Sequence, residues 1–174
     1  MTSLPTLAPP LSRLVGLLPK PPASVALTLL ARRIAARHPE IVGRLGTHVN
    51  ASFALDPTDL PVVMILTLPA GQPRIRLQKD ASGADCRIAG KLSALLALVH
   101  GAVDGDALFF SRDLVIAGDT AAALALRNAI DNAELDLLEE IQHVAPPLAR
   151  ALAPIAAALE RQTGVALRRA SGVI

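Results

Sequence analysis

The sequence predicts a mixed α/β (α+β) fold, in which a largely antiparallel sheet of about five strands is covered by helices, with further helices towards both termini. Three observations support this. Strand-like segments follow one another closely in the middle of the chain and are joined by short polar turns. A further strand runs directly into a long amphipathic helix at Gly118-Asp119. Finally, 52% of the 174 residues are hydrophobic, which supplies a substantial core.

The first 22 residues are expected to form an irregular arm. They contain six prolines, each of which removes a backbone donor. No basic segment precedes their apolar part, which is untypical of a secretory signal, so a cytoplasmic protein is expected. We therefore divide the chain into a Pro-rich N-terminal arm (1–22), a principal domain (23–143) and a helical C-terminal extension (144–174).

A helix is predicted from Ser24, which can cap its first turn, to Arg37, where a His-Pro pair follows. Three arginines crowd its C-terminal end, a position that the helix dipole favours: Arg32, Arg33 and Arg37. Two interpretations remain open. The helix covers the core and leaves its charged end in solvent, or it is a basic amphipathic element that contacts an anionic membrane through these arginines.

Four strands are predicted between residues 47 and 89. Residues 47–55 alternate between apolar and polar, as in a half-buried strand. Residues 60–68 are apolar almost throughout, which is typical of a strand covered on both faces. Residues 74–79 alternate again, and residues 84–89 form the fourth strand. The short turns between these segments favour an antiparallel meander.

The C-terminal half is predicted to contain a leucine-rich helix (91–100), an apolar pair (Phe109 and Phe110), a fifth strand (114–117) and a long helix. Gly118 tolerates the positive φ of a corner, and Asp119 or Thr120 can cap the helix that follows. Apolar residues then recur at spacings of three and four, so they share one helix face. They are Ala123, Leu126, Ile130, Ala133, Leu137 and Ile141.

Residues 41–140 resemble the sterol carrier protein 2 (SCP2) lipid-binding family. In that family a strand is followed by a leucine-rich helix, a loop with an apolar or aromatic pair, a strand of the form L-x-I-x-G-D and a final helix. This chain has the same order of predicted elements and reads LVIAGD at 114–119. Within the family, the runs LFFSRDLVIAGDT and RNAIDNAELD are most similar to accessory factors of oxygen-independent ubiquinone biosynthesis. The resemblance implies the SCP2-like fold, in which the sheet and the helices enclose an apolar cavity, with a ligand tunnel between them near the Phe109 loop.

No catalytic, metal-binding or cofactor motif accompanies this pattern. The four histidines are scattered, no serine sits in a nucleophile elbow, and the glycines form neither a P-loop nor a dinucleotide fingerprint. The single cysteine, Cys86, falls in a predicted strand as a small hydrophobe. Nucleic acid is a poor fit, because Trp and Tyr are absent and only three Phe could stack on bases. The sequence therefore favours a binding protein over an enzyme.

The candidate lipid-binding residues are the apolar side chains expected between the sheet and the helices. Burial of each methylene group of a lipid tail contributes about 0.8 kcal/mol, so such a site needs no catalytic residue. Ordinary core packing is the alternative for each of them. They are Val63, Ile65, Leu95, Leu98, Phe109, Phe110, Leu114, Ile116, Leu126 and Ile130.

The resemblance implies a non-catalytic factor that holds an isoprenoid quinone precursor or a phospholipid and requires no cofactor. Its implied partners are the paired UbiU and UbiV hydroxylase proteins and other ubiquinone-biosynthesis proteins, with a transient contact to the inner membrane. Two alternatives remain open. One is a general intracellular lipid or sterol carrier. The other is an SCP2-like interaction module that holds no ligand and docks another protein on its acidic helix face, residues 131–140.

Overall fold

The computed structural model of the protein describes residues 19–100 and 113–133. The N-terminal arm up to residue 18, the Phe109-Phe110 pair, Leu137, Ile141 and the extension at 144–174 lie outside these ranges. The strands are β1 Phe53–Pro57, β2 Val63–Thr67, β3 Arg74–Gln78, β4 Cys86–Gly90 and β5 Leu114–Gly118; the helices are α1 Lys20–Arg37, α2 Pro39–Arg44, α3 Leu92–His100 and α4 Thr120–Ala133. Short 3-10 turns occur at Gly46–Asn50 and Pro69–Gly71.

The five strands form one sheet in the order β3-β2-β1-β4-β5. Three of the four pairings are antiparallel, and β1 pairs with β4 in parallel. The mixed α/β fold with a largely antiparallel five-stranded sheet is thus confirmed. The simple meander is not, because β4 lies beside β1 instead of β3.

Residues 79–85 explain this difference, because they form a crossover and not a tight reversal. The chain leaves β3 at one edge, and Ala81 and Ala84 of the crossover pack against Ala54, Val63 and Ile65 of the sheet. Small side chains let this segment lie close to the strands. It covers one face of the sheet, which we call the crossover face.

The main core lies on the opposite face, which we call the helix face, between the sheet and helices α3 and α4. Phe53, Cys86 and Ile88 of the sheet are fully buried there. The predicted apolar stripe of α4 is confirmed over the described part of that helix, where Ala123, Leu126 and Ala133 are buried. The two layers therefore meet through apolar side chains, as an amphipathic helix on a sheet requires.

The corner between β5 and α4 is built as predicted. Gly118 has a φ of 81°, and a Cβ at that position would lie only 2.3 Å from the Asp85 carbonyl oxygen. Asp119 caps α4, since its Oδ1 accepts a hydrogen bond from the Ala122 N–H at 2.9 Å. The same corner thus fixes both the end of the strand and the start of the helix.

Two predicted boundaries are wrong. Helix α1 begins at Lys20 with two prolines in its first turn, so Ser24 lies inside the helix and does not cap it. The first half of the predicted strand 47–55 is the 3-10 turn, and β1 starts at Phe53. Gly46, with a φ of 53°, bends the chain at that point.

Candidate functional site

The sheet separates the candidate lipid-binding residues into two groups. Val63 and Ile65 are buried on the crossover face, 5% and 3% exposed. Ile88 and its partner Ile116 lie on the helix face. Six candidates belong to the main core there: Leu95, Leu98, Leu114 and Leu126 are buried, and Ile116 and Ile130 pack against them while remaining partly exposed. The structure thus brings these six together and holds Val63 and Ile65 apart from them.

The floor of this apolar cluster consists of side chains that were not among the predicted site residues. Phe53 and Ile88 are 0% and 1% exposed, and Leu45 precedes the first 3-10 turn and is 1% exposed. Phe53 could have been found from the sequence, since it lies on the apolar side of the alternating segment at 47–55. Leu45 carries no comparable periodic signal. We refer to the six candidates with this floor as the helix-face cluster.

Helix α3, which supplies Leu95 and Leu98, is anchored from a distant loop. The Asp59 carboxylate accepts a hydrogen bond from the Leu92 N–H at 2.8 Å, which satisfies a free donor of the first helical turn. Ser93 is buried beside this end of the helix, at 3% exposure. The β1–β2 loop therefore sets the position of one wall of the cluster.

Cys86 lies under the same cluster and is fully buried. Burial, together with the nearby carboxylates of Asp119 and Asp85, raises the pKa of its thiol to about 11. The group is therefore a protonated thiol at neutral pH, which is not a nucleophile.

Polar side chains cluster where β1 and β4 begin. The Asp85 carboxylate accepts hydrogen bonds from the Ser52 N–H at 2.8 Å and the Ser52 hydroxyl at 2.7 Å, and these bonds hold the pKa of Asp85 below its ordinary value. His48 Nδ1 lies 3.6 Å from Asp119 Oδ2. The serine donates to a carboxylate and the histidine faces a different one, so the two do not form a nucleophile–base pair. This cluster joins strand ends and offers no catalytic geometry.

Helix α1 lies along the free edge of β3. The Ser24 hydroxyl accepts from the Leu77 N–H at 3.0 Å, the Thr28 hydroxyl accepts from the Ile75 N–H at 2.9 Å, and Arg32 Nε donates to the Pro73 carbonyl at 3.2 Å. Four residues of helix advance about 6 Å, close to the rise of two strand residues, so the two series stay in register. Polar side chains thus close an edge that would otherwise expose unpaired backbone groups.

The outer face of α1 carries Val25 and Leu29, which are 60% and 55% exposed, and then Arg33 one turn further on. Of the three arginines predicted to contact a membrane, Arg33 is exposed on this outer face, whereas Arg32 binds the sheet edge. Arg37 is also exposed at the end of the helix. The outward position of the two apolar residues could not be read from the sequence, because apolar residues occur around much of this helix.

Two of the surface cavities in the described part of the chain adjoin the β2–β3 connection. One of about 400 Å³ is mainly apolar and lies between the end of α1, helix α2 and the β2–β3 connection. The other, of about 290 Å³, is lined by Asn50, Thr67, Leu68, Pro69, Arg74 and Arg76. Neither contains a predicted lipid-binding residue.

Neither metal-binding nor membrane-spanning features occur within 19–100 and 113–133. No group of three or more His, Cys, Asp or Glu side chains is arranged to hold a metal ion there. No helix in these ranges has the length and apolarity needed to cross a bilayer.

Comparisons with known proteins agree with this architecture. The family model of the SCP-2 sterol transfer family matches residues 32–131. No curated protein matches the chain. A solved structure described as "UbiJ-SCP2 Ubiquinone synthesis protein" is 20% identical with a TM-score of 0.54, over 67% of this chain and 96% of the other, so the two share a fold. Sterol carrier protein 2 from Yarrowia lipolytica, in its apo form, is 19% identical over 64% of this chain and 92% of its own, with a TM-score of 0.44.

Proposed function

The chain belongs to the SCP-2 sterol transfer family, and from this membership we propose that it is a non-catalytic lipid-binding accessory factor of ubiquinone biosynthesis. We place it with UbiT, in the oxygen-independent pathway, where it holds an isoprenoid quinone precursor or a membrane phospholipid. The observation that carries the proposal is the helix-face cluster, an apolar layer between sheet and helices that ends at the LVIAGD strand. The fold that this chain shares with a ubiquinone synthesis protein supports the assignment to that pathway.

Within the described residues the helix-face cluster is tightly packed, since Leu95, Leu98, Leu114 and Leu126 are at most 8% exposed. A lipid tail that binds among these side chains must therefore displace part of their packing. The loss of side-chain packing is offset by burial of the tail, at about 0.8 kcal/mol for each methylene group. Ile116 and Ile130 are only partly buried, so the route of entry lies on their side of the cluster.

Peripheral contact with the inner membrane forms part of the same proposal. The outer face of α1 presents Val25 and Leu29 to solvent with Arg33 after them, and no acidic residue occurs in the helix. An apolar stripe beside cations suits an interface with anionic lipid headgroups. The protein would then exchange lipid at the bilayer and deliver it to UbiU, UbiV and other proteins of the pathway.

The first test is native mass spectrometry of the purified full chain, followed by extraction and identification of the released lipid. A stoichiometric polyprenylated phenol or phospholipid is the expected result, and a protein that is empty and takes up neither lipid would contradict the proposal. A bound sterol or a mixture of lipids would favour the general carrier. Deletion of the gene should also lower ubiquinone in cells grown without oxygen, and an unchanged quinone content would remove the protein from that pathway.

A matched pair of variants separates ligand binding from stability. Leu98→Ala and Ile65→Ala each remove three buried carbons, the first from the helix-face cluster and the second from the crossover face. Both should destabilise the fold by about 2 to 5 kcal/mol. Only Leu98→Ala should change the amount of lipid retained, and equal retention in the two variants would place the ligand elsewhere.

A further inference from the structure

The smaller surface cavity differs chemically from the helix-face cluster. Its volume is about 290 Å³, and its lining residues include Asn50 and Thr67, which carry an amide and a hydroxyl group, and the two arginines Arg74 and Arg76. The sheet register places Thr67 opposite Arg74 and Ile65 opposite Arg76, so both arginines project from the crossover face. Four donor-bearing side chains therefore border one space.

The two arginines have no acidic partner in the described part of the chain. Asp56, a carboxylate on the same face of the sheet, is engaged by Arg87, whose Nε donates to it at 2.7 Å. Asp80, at the end of β3, accepts from the Ser82 N–H at 3.0 Å. Two unpaired cations held two residues apart on one strand repel each other and attract an anion.

A third guanidinium lies at the same end of β3. Arg32 donates through Nε to the carbonyl of Pro73, the residue that precedes Arg74. This bond fixes part of the Arg32 side chain beside the sheet edge. The charge of its guanidinium group adds to the positive potential there. The cavity therefore lies at a concentration of cationic groups, while Leu68 and Pro69 form its apolar rim.

We propose that this cavity binds a phosphate group. Guanidinium groups bind phosphate oxygens through paired, charge-assisted hydrogen bonds, and two of them can hold different oxygens of one tetrahedral anion. The Asn50 amide and the Thr67 hydroxyl supply further donors. The phosphate comes from either of two sources, a soluble phosphate ester or the headgroup of an anionic lipid. Leu68 belongs both to the cavity lining and to the main core, but none of the predicted lipid-binding residues lines the cavity, so phosphate binding does not require a bound lipid tail.

The test compares full-length proteins by calorimetry with inorganic phosphate and glycerol phosphate, and by sedimentation with phosphatidylcholine vesicles that contain or lack phosphatidylglycerol. The variant Arg74→Gln/Arg76→Gln removes both guanidinium groups. The control Arg44→Gln/Lys79→Gln removes the same number of charges from exposed side chains outside the cavity. Each lost guanidinium should weaken phosphate binding about tenfold, and the double variant about a hundredfold.

The two arms distinguish the sources of phosphate. Loss of soluble phosphate binding in the double variant alone, with vesicle binding kept, identifies a free phosphate ester as the ligand. Loss of vesicle binding alone identifies a lipid headgroup, and loss of both shows that the site accepts either. A wild-type protein that binds neither probe overturns the proposal, as does a double variant that binds both probes as well as the control does.

Discussion

The Thr28 hydroxyl of helix α1 accepts a hydrogen bond from the Ile75 N–H at 2.9 Å, and the Ile75 carbonyl oxygen lies 3.1 Å from the same hydroxyl. The hydroxyl hydrogen can also reach the Ser24 carbonyl, at 2.7 Å. The Thr28 hydroxyl thus binds the two backbone groups of Ile75, which have no neighbouring strand to bind at this edge of the sheet. Because α1 contains no fully buried residue, we expect such polar contacts to contribute substantially to its attachment to the sheet.

Replacing Thr28 with valine should therefore destabilise the protein by about 1 to 2 kcal/mol, since the Ile75 N–H loses its acceptor while the side-chain shape is kept. Urea unfolding measures the change, and hydrogen exchange at the Ile75 amide should accelerate. Thr47→Val is the matched control, because Thr47 is exposed and lies away from the sheet edge. Equal stability of the two variants would show that the contact between helix and edge is energetically unimportant.

Replacement by alanine should change the stability of the protein differently at three glycines. At Gly118 the new Cβ would meet the Asp85 carbonyl at 2.3 Å and φ is positive, so a loss of roughly 2 to 5 kcal/mol is expected. Gly83 also has a positive φ, of 79°, but open space around it, so its loss should be about 1 to 2 kcal/mol. Gly43, within α2, has neither a positive φ nor a close neighbour, so Gly43→Ala should stabilise the folded protein by about 0.5 to 1 kcal/mol. Thermal or urea unfolding that gives a different order would contradict this account of the corner.

Much of the local structure follows from the sequence because it depends on neighbouring residues. Gly118 and Asp119 together specify the corner, and period-two alternation identifies β3. The pairing of β4 with β1 does not follow, because alternation says nothing about which strands are neighbours. The parallel pairing of β1 with β4 shows that residues 79–85 cross the sheet, and the contacts of Ala81 and Ala84 show which face they cover.

The candidate site was predictable to a similar extent. Leu126 lies on a clear helical stripe, which assigns it to the helix face. Val63 and Ile65 belong to a continuously apolar run, so periodicity could not decide which face of the sheet they occupy. The role of any of these residues in holding lipid stays a prediction. The arginine-lined cavity could not be predicted from the sequence either, because its lining residues come from β2, β3 and a 3-10 turn that is distant along the chain.

Cys86 should make stability depend on pH in the alkaline range. The thiol has a pKa of about 11 in the folded protein and about 8.5 in an unfolded chain. The unfolded state therefore loses its proton first, so stability is fully present below about pH 8.5 and falls by up to about 1.4 kcal/mol per pH unit as pH rises towards 11. Urea unfolding of the wild type and of Cys86→Ala across this range measures the effect. The alanine variant should lack this component, and parallel curves for the two proteins would contradict the assignment.

The hydrogen bonds between Ser52 and Asp85 should make stability depend on pH in the acidic range, where stability should fall as pH falls. The hydrogen bonds from Ser52 lower the pKa of Asp85 in the folded state, so their stabilisation is present above the unfolded pKa and is lost as pH falls through the folded one. Ser52→Ala should raise the pKa of Asp85, measured by NMR titration of its carboxyl carbon, and should weaken the acid dependence of the unfolding midpoint.

Ser82→Ala is the control, since Ser82 likewise lowers the pKa of Asp80, but from two residues away within one turn. The Ser52 bond joins residues 33 positions apart, so only its loss should affect global stability. Equal acid sensitivity of both serine variants would show that the bond between Ser52 and Asp85 does not hold β1 and β4 together.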